Sequence, residues 1–259
     1  MKKSCLLFIR LMPAWLLVFV SPLSSTSVHA ADSSSPLRVG VAPTMPPMIF
    51  KEGGKVVGAE ADLAQVLGRE LHRSVTFVEL DWIDLLDALE AGKIDIVMSS
   101  MSITRARLAR FAFSDPYLRV GQMALVRADD KFRFSPLGSG LGSQKVGLIK
   151  GTTADLLAQQ EFPRAKRKYY KSGEEAAQAL AKKKIDAYIS DSTMIWYLAG
   201  KYETEGLVVA STVFSDETLA WPMRRSDQGL VDSVNQALKS MNQSGELNQV
   251  LKRWMPKLQ

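Results

Sequence analysis

Read for its alternation of apolar and polar positions, the chain falls into short apolar runs separated by amphipathic segments. Strand-like runs at 37–41, 75–79 and 94–99 alternate with helical patterns at 59–71 and 82–91. After a break the pattern recurs. Strands are predicted at 145–149, 167–170 and 185–190, with helices at 154–160 and 173–182. Two further helical segments, about 227–241 and 244–254, close the chain. Strands alternating with helices of this length predict βαβ units, hence an α/β fold with mainly parallel sheets.

The recurrence reads as an internal duplication. Residues 88–99 align with 179–190 at a constant offset of 91. Ala88/Ala179, Leu89/Leu180, Lys93/Lys184, Ile94/Ile185, Asp95/Asp186 and Ser99/Ser190 are identical. Val39-Gly40-Val41 likewise resembles Val146-Gly147-Leu148, each opening one copy. A pair of similar lobes is expected. In open α/β sheets ligands bind beyond the carboxyl ends of the strands. Those places are Ser100-Met101-Ser102 in one copy and Asp191-Ser192-Thr193 in the other. If the two sheets face one another across a cleft, both sets point at one ligand.

The formal charge of +6 invites a guess of polyanion binding, but its placement argues otherwise. Residues 1–30 hold Lys2, Lys3 and Arg10 and no acid, so removing them leaves 30 basic against 27 acidic groups, or +3. That excess is too small to indicate nucleic acid. The same segment has a basic start, an apolar run at 11–20 and Val28-His29-Ala30, the pattern of a secretory signal peptide with a small-x-Ala cleavage site. The run is too short for a spanning helix, which needs ~20 residues. The lone cysteine, Cys5, falls inside it and too early for a lipoprotein box. A soluble, exported product without thiol or disulfide is expected.

The chemistry is concentrated at the strand ends. Thr104 is placed to cap a helix with Arg107 at its third position. A helix start supplies N–H groups suited to an anion, and Arg107 adds a planar fork for a carboxylate. Gly151-Thr152-Thr153 repeats the arrangement from the second copy, with Thr153 as the expected cap. Asp191, opposite in sign, follows an apolar strand, where an acid is costly unless partnered; an ammonium group would serve. Arg107 and Asp191 together describe a receptor for an α-amino acid. No catalytic triad, cysteine nucleophile or metal-ligand cluster can be assembled, and no cofactor is expected.

Residues 92–107, Phe113-Ser-Asp-Pro-Tyr117, Gly58-Ala-Glu-Ala-Asp62-Leu63, Trp82, Gly151-Thr-Thr153 and Ile189-Ser-Asp191 carry a resemblance. From about Leu37 to Met255 the chain resembles the family 3 bacterial extracellular solute-binding proteins, periplasmic amino-acid receptors of ABC importers. The resemblance implies the two-lobed periplasmic-binding-protein fold of type II, two mainly parallel sheets flanked by helices and joined by two hinge strands near 121–126 and 210–219. After a signal peptide at 1–30, the first lobe takes 31–124, the second 125–214, and the first is completed by 215–259. Ser100, Ser102 and Arg107 would hold a ligand carboxylate with Thr153, Asp191 would hold the amino group, and Trp82 would wall the side-chain pocket. A monomer in the periplasm, closing over its ligand and serving an inner-membrane ABC permease, is implied.

The chain departs from that pattern at the first strand end. Pro43-Thr-Met45-Pro-Pro-Met48 stands where the family carries a stacking aromatic, so Met45 would take its place. Ala59 replaces a large apolar residue, and Ala42 stands where receptors for cationic amino acids tend to place an acid. Met45, Met48, Trp82 and Met101 would give a polarisable, mostly apolar pocket for an uncharged side chain. Two other functions remain open: an enzyme resembling cyclohexadienyl dehydratases on the same fold, or a ligand-sensing partner of a membrane receptor.

Overall fold

The computed structural model describes residues 35–134 and 142–256; the expected signal segment lies outside them. Two five-stranded sheets organise the chain. The first runs in the order Val75–Glu79, Leu37–Val41, Ile96–Val97, Pro222–Arg224, Phe111–Phe113, and the second in the order Lys166–Tyr169, Lys145–Leu148, Ala187–Asp191, Gln122–Arg127, Leu207–Val213. In each, the first three strands are parallel and the fourth is antiparallel to its neighbours. The chain passes between the sheets twice, and on the way Leu118–Val120 pairs antiparallel with Glu217–Leu219.

Most expected elements form, because strongly periodic segments bury one face. Helix Ala59–Glu70 buries Leu63, Ala64 and Leu67 against Leu37, Val39 and Val41. The closing helices are Gln228–Ser244, broken at left-handed Gly245, and Glu246–Trp254. Differences are local. The strand expected at 94–99 shortens to Ile96–Val97. The helix expected from Trp82 starts as a 3-10 turn, Trp82–Asp84, and continues as Leu85–Glu90. A three-stranded sheet at Thr44–Met45, Ile49–Glu52 and Lys55–Val57 and helix Ser192–Lys201 were not anticipated. Residues 121–126, expected as a crossing, are mostly a full strand of the second sheet.

The duplication extends beyond the residues that revealed it. Asp95 accepts from the Arg38 N–H at 3.0 Å, and its counterpart Asp186 accepts from the Lys145 N–H at 2.9 Å. A methyl group at Gly40 would overlap Ile94, and one at Gly147 would overlap Ile185, so each glycine makes room for the matching isoleucine. In the first sheet Arg224 donates to the carbonyls of Leu89 and Ile94 and reaches Asp95 and Asp227. In the second, Arg127 donates to the carbonyls of Leu180 and Ile185 and reaches Asp186 and Asp130. Each arginine sits at the end of its sheet's antiparallel strand and ties the preceding helix end to the repeated aspartate. Removing such a partly buried cation leaves two carbonyls without their donor, while the aspartates keep other partners. Arg127→Met and Arg224→Met are therefore expected to lower stability by about 1–3 kcal/mol each, additively in the double variant, as read from urea denaturation.

Candidate functional site

The segment after Val97 carries the first half of the site. Thr104 is extended and accepts from the Arg107 N–H at 3.2 Å, which fixes the start of helix Arg105–Arg110. The Arg107 guanidinium turns back from that turn. It donates to the Ser102 carbonyl at 2.8 Å and to the Gly151 carbonyl at 3.5 Å, and its carbon lies 5.6 Å from the centre of the Trp82 ring. Stacking and carbonyl contacts thus hold the fork without neutralising it. Burial lowers the Arg107 pKa, while the charges of Asp191 and Glu217 pull it upward.

Ser100 adopts φ 53°, a left-handed conformation uncommon outside glycine. Its N–H donates to Glu60 at 2.5 Å, and its hydroxyl is buried with no partner among the described residues. Glu60 is fully buried and also accepts from the Tyr117 hydroxyl at 2.7 Å and the Trp221 indole at 3.2 Å. Three donors on one carboxylate hold the unusual Ser100 backbone in place. Burial nonetheless pushes the Glu60 pKa up to about 7.

The second half comes from the other sheet. Asp191 ends strand Ala187–Asp191 and is 6% exposed. It accepts from the Gln122 side-chain amide at 2.6 Å, and the same nitrogen donates to the Thr153 hydroxyl at 3.1 Å. Burial raises the Asp191 pKa to about 7; the Gln122 hydrogen bond and Arg107 oppose that rise, and Glu217 adds to it. The expectation that Thr153 caps its helix is corrected here. Thr152 is the cap, accepting from the Asp155 N–H at 3.3 Å and donating to the Ile149 carbonyl. Thr153, one residue on, is thereby released to face Gln122.

Met45, Trp82, Ser100, Ser102, Arg107, Thr153 and Asp191 line a single narrow, nearly closed cleft, together with Thr152, Ala154 and Ser190. A larger hollow beside Asp115, Asn235 and Leu247 is lined mostly by the Gln228–Ser244 helix, and none of the expected site residues reaches it. Arg107 and Asp191 form no ion pair with each other or with any other described residue. Met48 and Met101 are buried in the core instead of the cleft wall. Glu60 and Gln122 were missed from sequence. Glu60 had a signal, since an acid on the face of Ala59, Leu63 and Leu67 is out of place on an apolar stripe. Among the described residues no group of three or more His, Cys, Asp or Glu side chains could hold a metal ion, and no helix is long and apolar enough to cross a membrane.

Comparison with known proteins gives a consistent answer. Residues 37–257 match the pattern of the bacterial extracellular solute-binding proteins, family 3. The L-cystine-binding protein TcyJ of Escherichia coli K12 is 27% identical over 219 residues, which is 84% of this chain and 82% of that one. A solved ancestral arginine-binding protein bound to arginine superposes with a TM-score of 0.80 at 30% identity, covering 86% of this chain and 98% of its own. The ancestral amino acid-binding protein AncCDT-1, described as a precursor of cyclohexadienyl dehydratase, gives 0.76 at 35% identity over 86% and 95%.

Two buried acids with raised pKa values take up protons on folding, so they favour the folded state at low pH. Their contribution is lost as pH rises through the window from about 4 to about 7. Asp191→Asn is expected to flatten that part of the stability profile, making the ligand-free variant more stable than the parent at pH 8, on the order of 1 kcal/mol. Denaturant titrations between pH 5 and 8 measure this.

Proposed function

Because the chain belongs to the bacterial extracellular solute-binding proteins of family 3, we propose that its cleft is the receptor for a free α-amino acid or similar small zwitterion. The observation that carries this reading is the pair of unneutralised charges, Arg107 and Asp191, brought to one cleft from two sheets. Arg107 takes the ligand carboxylate in parallel hydrogen bonds, aided by Ser100, Ser102 and Thr153. Asp191 takes the ammonium group. Met45 and Trp82 pack the side chain, which is uncharged, since Ala42 supplies no acid.

The ligand touches residues of both sheets, so it favours the closed arrangement over the open one by its differential contacts. The lobes divide near 31–124, 125–214 and 215–259, with strand Gln122–Arg127 belonging whole to the second lobe and the last segment returning to the first. The segment at 1–30 directs export and is cleaved, and the mature monomer works in the periplasm as the soluble partner of an ABC-type permease in the inner membrane. A relative supports the permease partnership: an ABC transporter glutamine-binding protein of Bacillus subtilis is 26% identical over 78% of this chain.

One observation favours an enzymatic reading. A carboxylic acid whose pKa lies about 7 is suited to proton donation, and Asp191 is such a group. Binding is nevertheless the better account, because an ammonium group at Asp191 occupies the acid that a dehydration would need.

A thermal-shift screen against the twenty amino acids and related zwitterions tests the receptor. A ligand at 100 times its dissociation constant adds about 2.7 kcal/mol of stability, and absence of any shift would overturn the reading. Arg107→Ala is expected to weaken binding by 100-fold or more while the fold persists; near-native affinity would place the carboxylate elsewhere. Incubation with prephenate or arogenate is expected to yield no product, and turnover would establish the enzyme.

A further inference from the structure

Gln122 has more connections to the cleft and to the crossing strands than any role in sheet pairing requires. It begins strand Gln122–Arg127, directly after the crossing strand Leu118–Val120. Its N–H donates to the Ser215 hydroxyl at 3.0 Å and its carbonyl accepts from the Phe214 N–H at 2.8 Å, so its backbone is bolted to the other crossing segment. The neighbouring Gly121 carbonyl accepts from the Ser192 N–H at 2.8 Å, immediately beyond Asp191. Its side chain is fully buried and spends both amide donors on cleft residues, Asp191 at 2.6 Å and Thr153 at 3.1 Å. The side-chain carbonyl has no partner among the described residues.

We propose that Gln122 is the positioning residue of the ammonium end of the cleft: its amide anchors Asp191 and Thr153 to the crossing strands and, by donating to Asp191, favours the anionic carboxylate that an ammonium group requires. This rests on the zwitterion-receptor reading for its biological meaning, while the link between Gln122 and Asp191 belongs to the ligand-free protein. The alternative is that Gln122 only fills space at a strand start.

The environment sets the direction of the effect. The charged and titratable groups acting on Asp191 or responding to it are Arg107 from helix Arg105–Arg110, Glu217 beside the crossing, Glu60 on helix Ala59–Glu70, Tyr117, and Tyr188 on its own strand. Only Gln122 donates a hydrogen bond to it among the described residues. Arg107 is the single cation in this group, and it lies beyond ion-pair distance. A charge-assisted hydrogen bond therefore carries an unusually large share of the work of keeping Asp191 ionised.

Nuclear magnetic resonance of the ligand-free protein tests this directly. In the parent protein the Gln122 side-chain amide signal and the Asp191 carboxyl carbon are expected to titrate with one common midpoint, and Asp191→Asn should abolish the movement of the Gln122 signal. In Gln122→Met, close in shape but without the donor, the Asp191 midpoint should rise by about one to two pH units. The proposal is overturned if the Gln122 amide signal stays fixed while Asp191 titrates, or if the methionine variant leaves the midpoint unchanged. The parent measurement needs no variant to fold, and none of these outcomes depends on whether the amino-acid screen finds a ligand.

Discussion

The structure depends on one constraint: two charges of opposite sign are kept in the same small, poorly hydrated space without being allowed to meet. A direct Arg107–Asp191 bridge would satisfy both groups and fill the cleft. Instead the guanidinium is held by carbonyls and an indole face, and the carboxylate by a neutral amide. Dipoles can orient a charge without cancelling it, which is why the holders are carbonyls and amides. Keeping the two groups apart requires two rigid platforms, and the two sheets are those platforms. The left-handed Ser100, the buried Glu60 beneath it and the paired crossing strands all serve to define the separation.

Such an arrangement is costly for the empty protein. Asp191 and Glu60 sit where burial favours their neutral forms, and Ser100 holds a conformation its side chain disfavours. These costs fall within a few residues of one another, while the surrounding core is densely apolar, from Leu37 and Leu67 to Trp221 and Tyr188. Local instability supported by a strong core is the pattern expected where a fold has been shaped around a site.

Much of this was legible in the amino-acid order. The repeated strand and helix units were read because each buries a periodic face, and the cleft residues were read because they follow apolar strands where a polar group has little reason to be. The antiparallel strand Gln122–Arg127 was harder: six consecutive buried or half-buried residues carry no alternation, so period alone cannot distinguish strand from helix. Helix Ser192–Lys201 was hidden for a related reason, its β-branched and aromatic residues arguing against its true state. Gln122 escaped notice because its importance lies in which residues surround it, and those come from three separate stretches of chain. The shift from Thr153 to Thr152 as helix cap turned on one residue of register, which two adjacent threonines do not reveal.

The two clamp arginines have a consequence for how the molecule is assembled in time. Arg127 lies on a strand that precedes the rest of its sheet, so the second sheet is continuous from Gln122 to Val213. Arg224 lies on a strand that follows its partners by more than a hundred residues, near the far end of the chain. During synthesis the second sheet has its whole complement of strands before the first does. The first waits, with an open edge at Ile96–Val97, until Pro222–Arg224 emerges to fill it. The later-built half therefore finishes first, and the earlier-built half must stay unfinished without pairing wrongly until the chain comes back to close it.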